Sequence, residues 1–264
     1  MRGRLFTIAL VLVGGCGGDP PSPVAPTTVT IRDTVVVTIV SPPDTVIVFP
    51  VPAPRPTTGT VRVIYAIPTD RTFNPVFRDS IQSAIENVQR WYQTQLSGRT
   101  FRLYGDAPET CELPYPEAFY NAENKSWSQL LNHGLRDCAP VRTGREAHLF
   151  VIYADVDEDC TQGYSLGRGW NGLTQLGRWD LIGLTNRTFV QCGWSSAQPL
   201  GRWHGGLAHE LTHTFNIPHP PGCNERLPIC PRSALMDAGY VRYPDTYLLD
   251  YEKEILLASP FIIP

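Results

Sequence analysis

The residues from His209 to His219 read HELTHTFNIPH, with two histidines four apart, a glutamate directly after the first, and a third histidine six residues after the second. On an α-helix a step of four turns the chain by about 400°, so His209 and His213 project from nearly the same face, one turn apart, and can reach one ion. Glu210 stands about 100° round from His209, off the ligand line but close enough for its carboxylate to meet a water at the metal. That is the place of a general base. A helix that simply continued would carry His219 about 9 Å further and roughly 240° round from His213, facing away. The helix therefore has to stop first. Asn216 tolerates the left-handed conformation that ends helices, and Pro218 pushes Ile217 toward extended backbone, so the returning chain can bring His219 back. Three neutral imidazoles with one open position are the donor set of a single catalytic Zn²⁺ ion.

This run resembles the metzincin clan of zinc peptidases, whose pattern is HExxHxxGxxH followed by a methionine turn. Asn216 stands at the glycine position, and asparagine is the residue that best replaces glycine at a positive φ angle. The resemblance implies that Met236, in SALMDAGY, forms the methionine turn. In several subfamilies a tyrosine two residues after that methionine lies near the metal; here the nearest is Tyr240, four residues on, so the pattern assigns it no role. Thermolysin-like enzymes instead take a glutamate from a second helix. Glu225 lies in the proline- and cysteine-bounded NERLPICP, which does not read as helix, and Glu252 and Glu254 are helical but far downstream. An aspartate such as Asp237 would serve only if His219 were misplaced.

These residues need a scaffold, and the pattern from Thr60 onward supplies one. TVRVIYAI alternates like a strand, and FRDSIQSAIENVQRWYQTQL carries Ile81, Ile85, Val88, Trp91 and Leu96 at helical spacing. RTFRLYG reads as a second strand, SWSQLLNHGLRDC as a helix, HLFVIYAD as a buried strand, RWDLIGLT as another strand, and TYLLDYEKEILLAS as a closing helix. The predicted fold class is α/β (α+β), and the resemblance implies a two-lobed zinc peptidase domain. That domain would have a mixed twisted sheet with backing helices and an active-site helix, an upper lobe to about residue 219 and a small C-terminal lobe over 220–264. The glycine-rich stretch from Gly163 to Gly177 falls where the clan has its substrate-side edge strand.

The N-terminus, MRGRLFTIALVLVGGC, has two arginines, an apolar run from Leu5 to Val13 and then small residues. Nine residues are too few to span a bilayer, which needs about 20, so residues 1–16 read as an export signal. VGGC resembles a bacterial lipobox, in which cleavage leaves Cys16 acylated and the protein anchored to a membrane. Residues 17–58 hold ten prolines and read as an extended linker, within which Asp33-Thr-Val-Val-Val and Asp44-Thr-Val-Ile-Val echo each other. Residues 59–264 are then the catalytic domain. Apart from Cys16, six cysteines remain, an even count that in an exported chain reads as three disulfides. Fifteen pairings are open; neighbours in sequence are favoured, Cys111 with Cys138, Cys160 with Cys192 and Cys223 with Cys230.

A net charge of −3 gives no sign of a nucleic-acid partner. The expectation is an exported zinc endopeptidase acting on peptide or protein substrates, lipid-anchored to a bacterial envelope or cell surface, or else secreted. In it Glu210 would be the general base for a metal-activated water. Two other readings stay open: a surface binding module that zinc merely stabilises, and a zinc hydrolase of a non-peptide substrate.

Overall fold

The computed structural model describes residues 36–41, 45–50, 59–106, 108–121, 138, 141, 147–157, 168–170, 172–185, 190–191, 194–195 and 199–264. The chain divides into two units, residues 1–54 and 55–264. Within the first, β1 (Val36–Ser41) and β2 (Thr45–Pro50) pair as an antiparallel hairpin, in which Val36 and Val37 of the first echo face Pro50 and Phe49 and not the second echo. The expected helix around residues 126–138, apart from Cys138, and the pairing of Cys160 with Cys192 lie outside the described residues. No described helix is long and apolar enough to cross a membrane.

The second unit is built on β3 (Thr60–Ile67), which lies between two parallel neighbours. The five-stranded sheet runs β5–β3–β6–β8–β7, where β5 is Glu109–Glu112, β6 His148–Ala154, β8 Leu173–Leu176 and β7 Arg168–Trp170. All pairs are parallel except β7 with β8, so β7 is an antiparallel edge. Parallel strands bury both faces and read as continuous apolar runs. In β3 the side chains of Val61, Val63, Tyr65 and Ile67 enter one core and those of Ile64 and Ala66 the other. The first core is covered by α1 (Pro75–Gln95), α3 (Arg178–Leu184) and α4 (Leu200–His213). The second core contains Tyr120 of the short α2 (Glu117–Tyr120) and the disulfide between Cys111 and Cys138. Asn74 caps α1, its Oδ1 accepting from Val76 N at 3.0 Å, and Pro75 follows where its missing N–H costs nothing.

Two expectations need correction. RTFRLYG does not form one continuous strand: β4 is only Thr100–Phe101, which pairs with β9 (Ile262–Ile263), Leu103 makes a single parallel bridge to Val61 of β3, and ETCE pairs with β3 from Ile64 to Ile67. RWDLIGLT does not form a strand either. It makes α3, with Asp180, Leu181, Gly183 and Leu184 buried, and the sheet slot is taken by the preceding LTQL as β8. An apolar run as short as Leu181–Leu184 fits both periods, and the parallel slot beside β6 was already filled.

After α4 the chain forms a loop closed by the disulfide of Cys223 and Cys230, a 3₁₀ helix (Ala238–Arg242) and α5 (Asp250–Leu257). Leu235, Met236, Tyr243, Leu248, Leu256 and Phe261 join the same core as β3 and α1, so the C-terminal lobe shares one interior with the sheet. Backbone bonds close the ends of the unit on each other, with Gly59 N donating to Pro260 O at 3.1 Å.

Candidate metal centre

α4 carries His209, Glu210 and His213 and is fixed on several sides. Tyr92 of α1 hydrogen-bonds Thr212 at 2.6 Å between hydroxyls, and Thr212 donates in turn to Ala208 O at 2.7 Å. On the other side, a side chain at Gly205 would strike the carbonyl of Tyr240, so only glycine lets the 3₁₀ helix lie directly on α4. α4 ends at His213, Asn216 adopts φ 62°, and the chain turns back as the sequence requires.

The turn brings the three imidazoles together. Nε2 of His209 lies 3.2 Å from Nε2 of His213 and 3.3 Å from Nε2 of His219. Nδ1 of His209 bonds Leu235 O at 2.7 Å, and Nδ1 of His213 bonds Ile217 O at 2.7 Å. A carbonyl only accepts, so both Nδ1 atoms carry the hydrogen and both Nε2 lone pairs are bare. Nδ1 of His219 faces Asn224 Oδ1 at 3.0 Å, which gives the third ring the same polarity. Lone pairs converging at this spacing repel one another unless a cation lies between them. Nitrogens bound tetrahedrally at 2.0–2.1 Å from zinc stand about 3.3–3.4 Å apart, which the observed spacing matches. The group can hold a metal ion. The other donor cluster among the described residues, Cys223, Cys230 and Asp237, has both sulfurs engaged in a disulfide.

Electrostatics agrees with ligation. Burial, helped by neighbouring His213, pushes His209 down to about 3, and burial also lowers His213, so neither is charged at neutral pH. Glu210 is buried beside His209. Two residues for which the spacing offered no role complete the surroundings. Tyr240 packs its ring against His209 at 5.2 Å between centroids; burial raises its phenol, which keeps its proton. The guanidinium of Arg202 lies 5.3 Å from the Tyr240 ring, and behind it Asp180 is raised to about 7 by burial, with Arg202 opposing. Arg202 stands a little over two turns before Glu210 on α4 and about 80° round from it, a spacing that carried no assignment. Met236 is fully buried in the core, and the carbonyl just before it is the one that orients His209. His204 faces Tyr243, ring centroids 6.2 Å apart, and His148 bonds Thr60 Oγ1 at 2.7 Å. Neither approaches the triad. Cys16 lies outside the described residues.

No family model matches the chain, and no curated protein matches it in sequence. Among solved structures, wild-type OgpA from Akkermansia muciniphila matches with a TM-score of 0.55 and 17% identity over 79% of this chain. This chain has the fold of OgpA. A catalytically inactive OgpA in complex with an O-glycopeptide (glycodrosocin) substrate matches with a TM-score of 0.51 and 16% identity, again over 79% of this chain. The matches cover 63% and 62% of the respective OgpA chains, so the likeness takes in less than two thirds of OgpA's length.

Proposed function

We propose that the chain is a zinc-dependent endopeptidase of metzincin type. The observation that carries this reading is the convergence of three Nε2 lone pairs at zinc-ligand spacing with Glu210 beside the first of them. A set of three imidazoles with an open fourth position suits zinc better than the oxygen-seeking divalent cations. Zinc bound there would lower the pKa of a water to about 7 and polarise a carbonyl. His209, His213 and His219 would hold the ion. Glu210 takes the proton from the attacking water and delivers it to the leaving amine. Tyr240 and Arg202 wall the site on the side of the 3₁₀ helix. The edge strand β7, against which α4 packs, is the surface for an extended peptide, since backbone bonds to a sheet edge hold substrate without regard to sequence.

The substrate class we favour within peptides is the O-glycosylated one, on the precedent of the OgpA complex. We also propose that residues 1–16 direct export, that Cys16 carries the lipid anchor and that the stretch to residue 58 tethers the enzyme. The test of catalysis is Glu210→Gln, which keeps shape and removes the base. Zinc content should stay at one equivalent while cleavage of paired glycosylated and plain peptides falls by about 10²- to 10⁴-fold. Wild-type cleavage by the variant would remove Glu210 from the mechanism. Equal zinc binding with no cleavage by either protein would leave a binding module, and equal cleavage of both peptides would remove the glycan preference.

A further inference from the structure

Two of the metal-site imidazoles are oriented by backbone carbonyls, but the third is oriented by a side chain. His219 and Asn224 are both exposed, and the contact between Nδ1 and Oδ1 at 3.0 Å is the hydrogen bond seen at that ring nitrogen. Asn224 directly follows Cys223, whose bond to Cys230 closes a short loop between the third ligand and the Leu235 segment that orients the first. Among the described residues the backbone bonds inside the loop are short-range, such as Arg226 N to Cys223 O at 3.0 Å and Leu227 N to Gly222 O at 2.8 Å, and the Arg232 guanidinium reaches Arg226 O at 3.4 Å. Its large apolar side chains do not anchor it, since Leu227 is 45% and Ile229 74% exposed. The crosslink is therefore its main constraint.

We infer that Asn224 is the positioning residue of the third metal ligand and that the Cys223–Cys230 disulfide holds it in place, so that metal affinity depends on the oxidation state of that disulfide. The inference rests on the metal reading of the triad. An exposed imidazole on a coil has two tautomers and free rotation about its bonds, and only the form with hydrogen on Nδ1 offers Nε2 to the metal. Asn224 Oδ1 selects that form by accepting the Nδ1 hydrogen. Reduction by a dithiol breaks the S–S bond, leaves a proton on each sulfur and closes the reductant's own disulfide. Asn224 is then released with the loop. Removing an outer partner of a metal-bound histidine typically costs 10- to 100-fold in metal affinity.

The experiment strips the full chain of metal and measures Zn²⁺ affinity by competition with a chromophoric chelator, recording the unfolding midpoint of each metal-free protein alongside. Asn224→Ala should bind about 10- to 100-fold more weakly with an unchanged metal-free midpoint. Asn224→Asp, which still accepts from Nδ1, should stay near wild type. The double variant Cys223→Ala, Cys230→Ala should fall to the level of Asn224→Ala, and adding Asn224→Ala to it should cost nothing more. Wild-type affinity in Asn224→Ala overturns the positioning role, and wild-type affinity or full additivity in the double-cysteine background overturns the role of the disulfide. If the double variant does not fold, the Asn224 pair still decides the first point, and dithiol titration of wild type and Asn224→Ala decides the second. A wild-type chain that binds no zinc would instead remove the metal reading itself.

Discussion

Gly205 and Gly206 are neighbours in the same turn of α4, yet substituting each by alanine should move stability in different directions. Helix propensity alone favours both changes, since glycine in a helix interior costs about 1 kcal/mol relative to alanine. At Gly205 the new methyl would collide with the Tyr240 carbonyl and come within 2.8 Å of Tyr243 Cβ. Those atoms belong to a 3₁₀ segment that is itself braced, Tyr243 donating from its hydroxyl to Asn87 Oδ1 at 2.7 Å and Trp91 Nε1 to Pro244 O at 3.2 Å. It cannot yield cheaply, and overpacking of this kind costs about 1–3 kcal/mol. At Gly206 the methyl meets Arg202 Nη1 at 2.9 Å, the end of a flexible side chain, and then Asp180 Oδ1 only at 3.9 Å. Propensity should therefore win at Gly206, leaving it neutral or slightly stabilised. Collision should win at Gly205, with a net loss of up to about 2 kcal/mol. Denaturant unfolding of the two variants and wild type at one pH and fixed metal content reads both. Equal effects, or a Gly205→Ala protein more stable than Gly206→Ala, would refute the claim that the 3₁₀ helix is seated on α4 through that glycine.

Two further outcomes are expected. Burial, with the Arg90 charge adding to it, pushes His204 down to about 4, against about 6.5 when unfolded. The unfolded chain thus takes a proton below about pH 6.5 that the folded chain refuses until about pH 4, and stability present above that window falls as pH drops through it. His204→Phe should remove a component of at most about 3 kcal/mol from that acid loss, read as the change with pH in the difference between variant and wild-type unfolding free energies; parallel profiles would show that His204 does not titrate this way. Cys16→Ser should shift the protein from the membrane to the soluble fraction with its zinc content unchanged, and an unchanged membrane fraction would rule out acylation at Cys16 as the means of attachment.

The parts of the fold that could be read in advance are those where one periodicity dominates over many residues. β3 and β6 announce themselves through unbroken apolar runs, and α1 through a 21-residue amphipathic pattern with a capping asparagine and a proline behind it. β5 was missed because a short edge strand with only Cys111 buried has no alternation to detect. The histidine spacing and the positive φ at Asn216 are local chemistry, so the convergence of the triad was legible. The atoms that orient the rings were not. Leu235 O acts through loop geometry, to which residue type contributes little, and Asn224 Oδ1 is brought to its ring by a loop path that no periodicity announces. Tyr240 reaches His209 despite standing four residues past Met236 because a glycine on a different element lets its backbone approach, a relation no single stretch of sequence contains.

The pairing of β9 with β4, and of Pro260 with Gly59, joins opposite ends of the domain's sequence. A chain that emerges from its N-terminus onward can form α1 and dock it on β3 early, because those contacts are near in sequence. It cannot close the sheet-side core until its last strand has appeared, since Phe261 and Ile262 belong to that core. Contacts of such long range fold slowly. During synthesis the histidine helix thus exists for a time without the carbonyl of Leu235 and without the lobe that supplies it. The orientation of the first imidazole, and with it the candidate metal centre, is therefore completed late in the folding of this domain.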